Sequence, residues 1–258
     1  IEPYLYDKKI SDVIIREHRL RWPVPKDLPS LVRGRKIREV CRRAKYIYLK
    51  LDNGNIIIHL GMSGSLRICT GKTVPEKHDH IDIVVSNKKI LRLRDPRKFG
   101  CVLWQPGDIN EHKLISPLGP EPLGNTFDAE YLHSKARKRS CSIKSLIMNS
   151  HIVVGVGNIY ASESLFKAGI NPKRKAGSVS PARMEKLVTA IKETLCDSIE
   201  QGGTTLKDFT AENGQPGYFA QKLLVYGLTG EPCSVCGKPV KQITQQARST
   251  FYCTQCQK

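Results

Sequence analysis

Short apolar runs separated by turn residues dominate the first 115 residues, a pattern typical of antiparallel strands. Residues 46–60, YIYLKLDNGNIIIHL, carry two such runs on either side of residues 52–54, which is a hairpin signal. Residues 80–95, HIDIVVSNKKILRLRD, repeat the arrangement around residues 86–88, and CVLWQ at 101–105 adds a further strand. Together these segments predict a β-sandwich or a β-barrel.

The period of the apolar positions becomes helical after a segment rich in proline and glycine. Residues 116–128, SPLGPEPLGNTFD, hold three prolines and two glycines, so we expect an interdomain linker at 116–126. Farther on, Ser180 as a cap and Pro181 at the first position predict a helix that ends before Gly202. Its apolar residues share one face and are predicted to be core: Met184, Leu187, Val188, Ile191, Leu195 and Ile199.

A second helix is predicted in GVGNIYASESLFKAG, residues 155–169, with Asn158 as its cap. Gly155 and Gly157 precede a helix whose first free N–H groups can bind a phosphate. Glycines that merely form a tight turn between packed helices are the alternative. Two helices joined in this way are a helix-turn-helix variant, which can place a helix end on a DNA backbone.

The charge balance indicates a polyanionic partner. The chain has 42 Lys and Arg against 24 Asp and Glu, a formal net charge of +18 over 258 residues. So large an excess is typical of proteins that bind nucleic acid, although a solubilising surface charge is the alternative. The sequence has no run of about 18 apolar residues and no signal segment, so we expect a soluble cytoplasmic protein.

The strongest motif is a doubled cysteine pair near the end of the chain. Cys233 and Cys236 are separated by two residues, as are Cys253 and Cys256 after a loop of 16 residues. Two such turns supply the four thiolates of a closed tetrahedral site, so we predict one structural Zn²⁺ that does not activate water. A redox dithiol is the alternative. Arg248 lies near the tip of the predicted hairpin, where it either meets a phosphate or is a solvated surface charge.

Several residues of the strand-rich part are candidates for contacts with nucleic acid. Arg97 and Phe99 point to the same side of an extended segment and could enter a duplex together, or Phe99 could be core beside a surface arginine. Met62 alone reads as core. His78 lies in EKHDHID, where a phosphate contact or surface polarity is favoured over a metal site, and Lys45 alone reads as a solvated flanking charge.

Taken in order along the chain, nine motifs resemble those of the bacterial formamidopyrimidine-DNA glycosylases, which repair 8-oxoguanine. They are RRAKY, IIIHLGMSGSLRI, EKHDHID, DPRKFG, LGPEPL, VVGVGNIYASESLF, QGGTTLKDF, GQPGYF and the four-cysteine tail that ends FYCTQCQK. The resemblance covers essentially the whole chain and implies an α+β multidomain fold. It implies an N-terminal β-sandwich over 1–115, a helix-two-turn-helix domain over 127–212, and a lesion loop with a zinc ribbon over 213–258.

The resemblance also implies roles for the candidate residues. Lys45 matches a lysine that assists elimination, and Arg248 matches the zinc-ribbon arginine at the lesion's phosphates, which is associated with the last elimination step. Residues around 210–226 match a loop that covers the everted base. The implied DNA contacts are Met62, His78, Arg97, Phe99, Lys144 and Asn158, of which Met62, Arg97 and Phe99 match the three residues inserted into the duplex.

The implied activity is that of a bifunctional glycosylase and abasic-site lyase. Its partner is double-stranded DNA that contains oxidised purines or abasic sites, and we expect a monomer associated with the nucleoid. The damaged nucleotide is everted, a proline amine attacks C1′ of the sugar, and the resulting Schiff base permits β- and then δ-elimination. An endonuclease VIII-type enzyme for oxidised pyrimidines and a non-enzymatic zinc-ribbon protein that binds lesion DNA are the alternatives.

The start of the sequence departs from the family's pattern. The family begins Pro-Glu-Leu-Pro-Glu-Val-Glu, whereas IEPYL here corresponds to a position near the end of the family's first helix, so Glu2 is not the catalytic glutamate. We expect the native protein to carry the missing segment, about a dozen residues or about three helical turns, with its nucleophilic proline. A chain that truly began at Ile1 would bind lesion DNA without cutting it.

Overall fold

The computed structural model describes residues 1–202 and 223–258. These residues form two compact units, the first over 1–116 and the second from residue 117 onward. Most of the loop predicted at 210–226 lies outside the described residues. Within the described ranges, no helix combines the length and the apolar character needed to cross a membrane.

The described part of the first unit contains eight strands, two short α-helices and one 3-10 helix, Ile109–Glu111. The strands are β1 (Ile10–Ile15), β2 (Ile37–Arg43), β3 (Tyr46–Leu51), β4 (Gly54–His59), β5 (Ser65–Thr70), β6 (Asp79–Val85), β7 (Lys89–Arg94) and β8 (Cys101–Pro106), and the helices are α1 (Glu2–Leu5) and α2 (Leu28–Val32). They form two antiparallel sheets of four strands each, with the orders β1-β6-β7-β5 and β2-β3-β4-β8. The first unit is therefore a sandwich and not a barrel.

The core of the sandwich lies between its two sheets. Ile56 and Ile58 of β4 share it with Ile81 and Ile83 of β6, and each of these side chains is at most 2% exposed. Both predicted hairpins form, because β3 pairs with β4 and β6 pairs with β7 in antiparallel register. Alternate residues of each strand face the other sheet. The turns join the ends of the strands and therefore lie at the rims of the sandwich, where the candidate residues of this unit are found.

The second unit begins with four helices. These are α3 (Ala129–Ala136), α4 (Ile143–Ile147), α5 (Asn158–Lys167) and α6 (Pro181–Glu200). Helix α6 begins after Ser180 with Pro181 at its first position, as predicted. The prediction for Ile199 is wrong, because this residue is 66% exposed. Ser198 takes the buried position instead and forms a 2.7 Å hydrogen bond with the Tyr160 hydroxyl, which turns the next side chain toward solvent.

A two-stranded hairpin closes the second unit. Strands β9 (Lys241–Gln245) and β10 (Arg248–Tyr252) pair through a two-residue turn whose φ angles, +48° and +57°, both lie in the left-handed region. Such a turn matches the twist of the strands. The hairpin packs on the end of α5 through a small core of Phe166, Val225, Val240 and Phe251. The division of this unit into a helical domain and a zinc-binding domain remains a proposal.

Candidate nucleic-acid interface and metal centre

Four cysteines converge at the base of the hairpin. The Sγ atoms of Cys233, Cys236, Cys253 and Cys256 all lie within 4.8 Å of one another, with separations of 3.8 Å for Cys233–Cys256 and 3.5 Å for Cys236–Cys253. Zinc–sulfur bonds of about 2.3 Å in a tetrahedron place sulfur atoms about 3.8 Å apart. The four thiolates therefore fit one tetrahedral Zn²⁺ and fill all of its positions.

Both cysteine pairs form the same tight turn. The Gly237 N–H donates to the Cys233 carbonyl at 2.8 Å, and the Gln257 N–H donates to the Cys253 carbonyl at 3.1 Å. Each turn thus brings two sulfur atoms to one side, as the spacing predicted. Because the second pair directly follows β10, a metal held here also holds the strand that begins with Arg248.

Two of the predicted residues bind one carbonyl group of β10, directly after a third, Arg248. The Ser249 carbonyl accepts hydrogen bonds from Lys144 Nζ at 3.2 Å and from Asn158 Nδ2 at 2.9 Å. Arg248, the preceding residue, is exposed. The chain separates these residues by up to 105 positions, so only the packing of α4 and α5 against the hairpin brings them together.

Lys144 is an unusually buried lysine. The residue is 2% exposed, and its Nζ also donates to Thr250 Oγ1 at 2.7 Å. Burial, and then the positive charge of Arg248, lower the pKa of Lys144 to about 8. Its charge is therefore within reach of titration near physiological pH.

Asn158 does not cap α5 as predicted. Gly157 is the cap residue and Asn158 is the first helical residue, because its amide Nδ2 donates to Ser249 and, at 3.3 Å, to the Tyr226 hydroxyl. The first turn of α5 therefore has no side-chain cap. The Asn158 Oδ1 atom is buried and accepts no hydrogen bond from the described residues.

Glu163, which the sequence did not single out, fastens the segment before the ribbon to α5. The residue is 2% exposed, and its carboxylate accepts the backbone N–H groups of Leu224, Val225 and Tyr226 at 2.8 to 3.0 Å. These contacts place Tyr226 beside Asn158. Its partners lie more than 60 residues away, so no local pattern could have indicated this role.

Two adjacent loops of the first unit carry Met62, Arg97 and Phe99. Met62 is 57% exposed in the loop after β4, and Phe99 is 43% exposed in the loop before β8. The loops touch at Gly61, whose φ is +64° and where an added Cβ would lie 2.6 Å from the Phe99 carbonyl carbon. Only glycine allows so close an approach in this conformation.

Asp95 connects the loop after β4 to the loop before β8 through hydrogen bonds. The residue is fully buried, and its carboxylate accepts the Gly100 N–H at 2.7 Å and the Ser63 hydroxyl at 3.3 Å. Its backbone carbonyl lies 2.9 Å from His80 Nε2. The Asp-Pro dipeptide in DPRKFG is a turn signal that could have indicated this anchor.

Arg97 and Phe99 lie on the same side of a turn, and the predicted extended conformation is wrong. Lys98 between them has a φ of +56°, and its ammonium group forms an ion pair with Glu17. The Arg97 guanidinium lies 4.8 Å from the centroid of the Phe99 ring. The left-handed conformation of Lys98 reverses the direction of the chain. This turn, and not an extended segment, brings the two side chains together.

The histidines of EKHDHID are engaged in other contacts. The His80 ring nitrogen Nε2 lies within hydrogen-bond distance of the Asp95 carbonyl. Between the histidines, the Asp79 carboxylate forms an ion pair with Arg67 at 2.7 Å. They do not join a group of three or more possible metal ligands within residues 1–202 and 223–258. His78 is partly buried, with a φ of +79°, and burial, followed by the charge of Lys77, lowers its pKa.

Lys45 lies in the two-residue turn between β2 and β3, after Ala44 with a φ of +54°. Burial of His59 lowers the pKa of that histidine, and the positive charge of Lys45 lowers it further. His59 ends β4, and its Nδ1 accepts the Gly61 N–H at 2.9 Å. Lys45 is thus close to the loop that carries Met62, which the sequence alone did not indicate.

Family models match the chain in three consecutive segments. Residues 1–102 match the formamidopyrimidine-DNA glycosylase N-terminal domain, residues 118–210 match the formamidopyrimidine-DNA glycosylase H2TH domain, and residues 230–258 match a zinc finger found in FPG and IleRS. The formamidopyrimidine-DNA glycosylases of Idiomarina loihiensis and Escherichia coli O7:K1 are 54% and 55% identical over 258 residues. In both cases the match covers 100% of this chain and 95% of the relative.

Solved structures of the same kind share the fold. A mutant FPG of Lactococcus lactis in complex with DNA that contains Fapy-dG superposes with a TM-score of 0.90 at 31% identity, covering 99% of this chain and 94% of that chain. The complex of Lactococcus lactis Fpg with DNA that contains an abasic site has a TM-score of 0.89 at 31% identity, with the same coverage. Matched by family models in three segments, and by relatives that share more than half of its residues along its whole length, the chain belongs to the formamidopyrimidine-DNA glycosylase family.

Proposed function

We propose that the protein is a bifunctional DNA glycosylase and abasic-site lyase that removes oxidised purines, 8-oxoguanine and formamidopyrimidines, from double-stranded DNA. The names of its relatives and the solved complexes with Fapy-dG and abasic-site DNA support this proposal. The observation that carries it is the pair of fastened loops, which holds Met62, Arg97 and Phe99 at one exposed edge of the sandwich. We further propose that it acts as a monomer on nucleoid DNA in the cytoplasm.

The exposed edge suits the insertion of side chains into a duplex. A purine inside the base stack is out of reach of a nucleophile, so the nucleotide must be everted at a cost of a few kcal/mol. Met62 and Phe99 fill the hole with apolar surface, which recovers part of that cost. Arg97 stacks on Phe99 and can donate hydrogen bonds to the orphaned base. His78 is proposed as a nearby DNA contact.

The second unit is proposed to hold the backbone at the lesion. Arg248 presents a guanidinium at the start of a strand fixed by the zinc site, which suits a phosphate. Lys144 and Asn158 support that strand through the Ser249 carbonyl, and the free N–H groups at the start of α5 are a further site for a phosphate. Zinc acts here through folding alone, because its four ligands leave no open position.

The chemistry proposed for the sugar needs a secondary amine. The α-amino group of the N-terminal proline that the family's pattern implies attacks C1′ and displaces the base, which leaves with a proton. Cleavage of the C1′–O4′ bond then opens the sugar ring, and an iminium ion forms. The iminium acidifies the C2′ proton, whose loss expels the 3′ phosphate, and a second elimination expels the 5′ phosphate. Lys45 is proposed to assist the first elimination and Arg248 the second.

Borohydride trapping of the native protein on 8-oxoguanine DNA tests the proposal. We expect a covalent complex, and peptide mapping of that complex should locate the bond at an N-terminal proline. A native protein that binds the lesion but neither traps nor nicks abasic DNA would instead be a non-enzymatic zinc-ribbon binder. Preferred release of thymine glycol over 8-oxoguanine would assign it to the oxidised-pyrimidine branch.

A further inference from the structure

One long stretch of the second unit, from α3 to the start of α6, is almost free of acidic residues. From Tyr131 to Met184 the sequence has ten Lys and Arg residues and a single acid, Glu163. Glu163 is 2% exposed and its carboxylate is used by three backbone N–H groups. It therefore adds no exposed negative charge, and the surface formed by this segment is strongly positive.

Two basic runs of this segment lie side by side. The Arg139 carbonyl accepts the Gly177 N–H at 3.1 Å, the Cys141 carbonyl accepts the Ala176 N–H at 2.9 Å, and the Ile143 N–H donates to the Arg174 carbonyl at 2.8 Å. These bonds fasten residues 135–139 to residues 173–175. We call the resulting surface the basic ridge, which consists of Lys135, Arg137, Lys138, Arg139, Lys173, Arg174 and Lys175.

No ion pair within residues 1–202 and 223–258 neutralises the charges of the basic ridge. Among the described residues, none of its seven cations belongs to a salt bridge. Two of its lysines lie over aromatic rings, Lys135 over Tyr131 at 5.3 Å and Lys173 over Tyr252 at 5.5 Å. Seven like charges held together by backbone bonds repel one another, and a bound polyanion relieves that repulsion.

The basic ridge is continuous with the proposed contact for the lesion's phosphates. Arg139 and Arg248 line the same depression of about 360 Å³, together with Ser145 and Asn149. A row of cations therefore extends from Arg248 to Arg139 of the ridge and on to the 173–175 run. An array of this kind suits the regularly spaced phosphates of a nucleic-acid strand better than a single anion.

We propose that the basic ridge binds the phosphate backbone of the same DNA duplex beyond the phosphates of the lesion. This inference rests on the proposed function, because it extends the interface that contains Arg248. The ridge makes no base contacts, so it also holds undamaged DNA, and it supplies charge attraction during the search for a lesion. Its contribution depends on duplex length and on salt.

The salt dependence of DNA binding tests the proposal on the full chain. The triple variant Arg137→Gln, Lys138→Gln and Lys175→Gln removes three exposed charges. Its affinity is measured at several salt concentrations on duplexes of about 30 and about 10 base pairs, three turns and one turn of the helix, each with an uncleavable abasic-site analogue at its centre. Each lost phosphate contact makes the slope of log affinity against log salt shallower by about 0.9, or about 2.7 for three. A fourfold rise in salt should therefore weaken binding of the long duplex about 40-fold less in the variant than in the parent.

The short duplex and a matched control decide the outcome. The change of slope on the short duplex should be smaller, since about five base pairs on each side of the lesion leave fewer phosphates for the ridge to bind. The control variant Lys72→Gln, Lys88→Gln and Lys186→Gln removes the same net charge from exposed positions outside the ridge and should keep the parent slope. An unchanged slope on the long duplex, an equal change on both duplexes, or an equal change in the control would each overturn the proposal. Failure of the native protein to excise a base would contradict the proposed function instead. The binding comparison could still be interpreted, because it does not depend on catalysis.

Discussion

Lys144 Nζ lies 2.7 Å from Thr250 Oγ1, so a lysine at the start of α4 is buried against the second strand of the zinc ribbon. The same ammonium group donates to the Ser249 carbonyl, next to Arg248. The helical part of the second unit thus supports the strand that presents the proposed phosphate-binding arginine. The pKa of about 8 that results from burial and from Arg248 makes this contact sensitive to pH.

DNA affinity should fall as the pH rises through about 8. A phosphate near Lys144 favours its protonated form, so binding takes up a proton above the pKa of about 8 of the free protein. Affinity for an uncleavable lesion duplex, measured from pH 6.5 to 9.5, should decrease across that window. The variant Lys144→Met should lose this dependence, and an identical pH profile in the variant would contradict the assignment.

The stability of the protein should change in the opposite sense. The usual pKa of a lysine is 10.5, so between pH 8 and 10.5 the unfolded chain binds more protons at Lys144 than the folded one. Stability rises with pH wherever the unfolded state binds more protons. The contribution of Lys144 to the free energy of unfolding should therefore increase over this range. Urea unfolding of the parent and of Lys144→Met at several pH values isolates the effect as the difference between the two proteins.

Removal of the exposed ring of Phe99 should weaken lesion binding. Aromatic contacts with bases are worth about 1–3 kcal/mol each, so Phe99→Ala should lower the affinity for lesion DNA about 5- to 150-fold. Affinity for undamaged DNA should change much less, since no base is everted there. Val74→Ala is the matched control, because Val74 is also an exposed apolar residue of the first unit, at 80%. Equal losses on lesion and undamaged DNA would argue against insertion.

Loss of the Asp95 carboxylate should separate the two loops. In Asp95→Asn an NH2 group replaces one of the two acceptor oxygens, so the side chain can accept from only one of the donors Gly100 N and Ser63 Oγ, and an unsatisfied buried donor costs about 1–3 kcal/mol. We expect lower stability in urea together with weaker binding to lesion DNA. Asp12→Asn serves as the control, since that carboxylate is 44% exposed and pairs with Arg33 at the surface. Surface pairs contribute only about 0–1 kcal/mol.

Removal of the metal should act through folding of the ribbon. Cys253→Ser should lose the zinc, unfold the hairpin and weaken DNA binding, because four-thiolate sites contribute folding energy directly. Metal content by elemental analysis and affinity by titration are the measurements. Cys196→Ser, at an exposed cysteine outside the cluster, should keep both. A Cys253→Ser protein that retained both zinc and affinity would show that the ligands are misassigned.

Local signals in the sequence determined the elements and the metal ligands. Turn residues between apolar runs specify the hairpins of the sandwich, and the doubled spacing of Cys233–Cys236 and Cys253–Cys256 specifies a four-thiolate site, because in both cases the interacting groups are close in the chain. The resemblance of ordered motifs supplied the family. The sandwich, and not a barrel, followed only from the strand order of the two sheets, which turn signals do not encode.

Tertiary structure alone decided how the candidate residues are held. Asn158 reaches across to the Ser249 carbonyl and so cannot cap its own helix, and Ser198 replaces Ile199 on the buried face because it meets Tyr160. The anchors Asp95 and Glu163 act on backbone groups of distant loops. Hydrogen bonds and burial of this kind depend on which segments come into contact in the folded protein. The periodicity of a single segment does not specify which other segments it contacts.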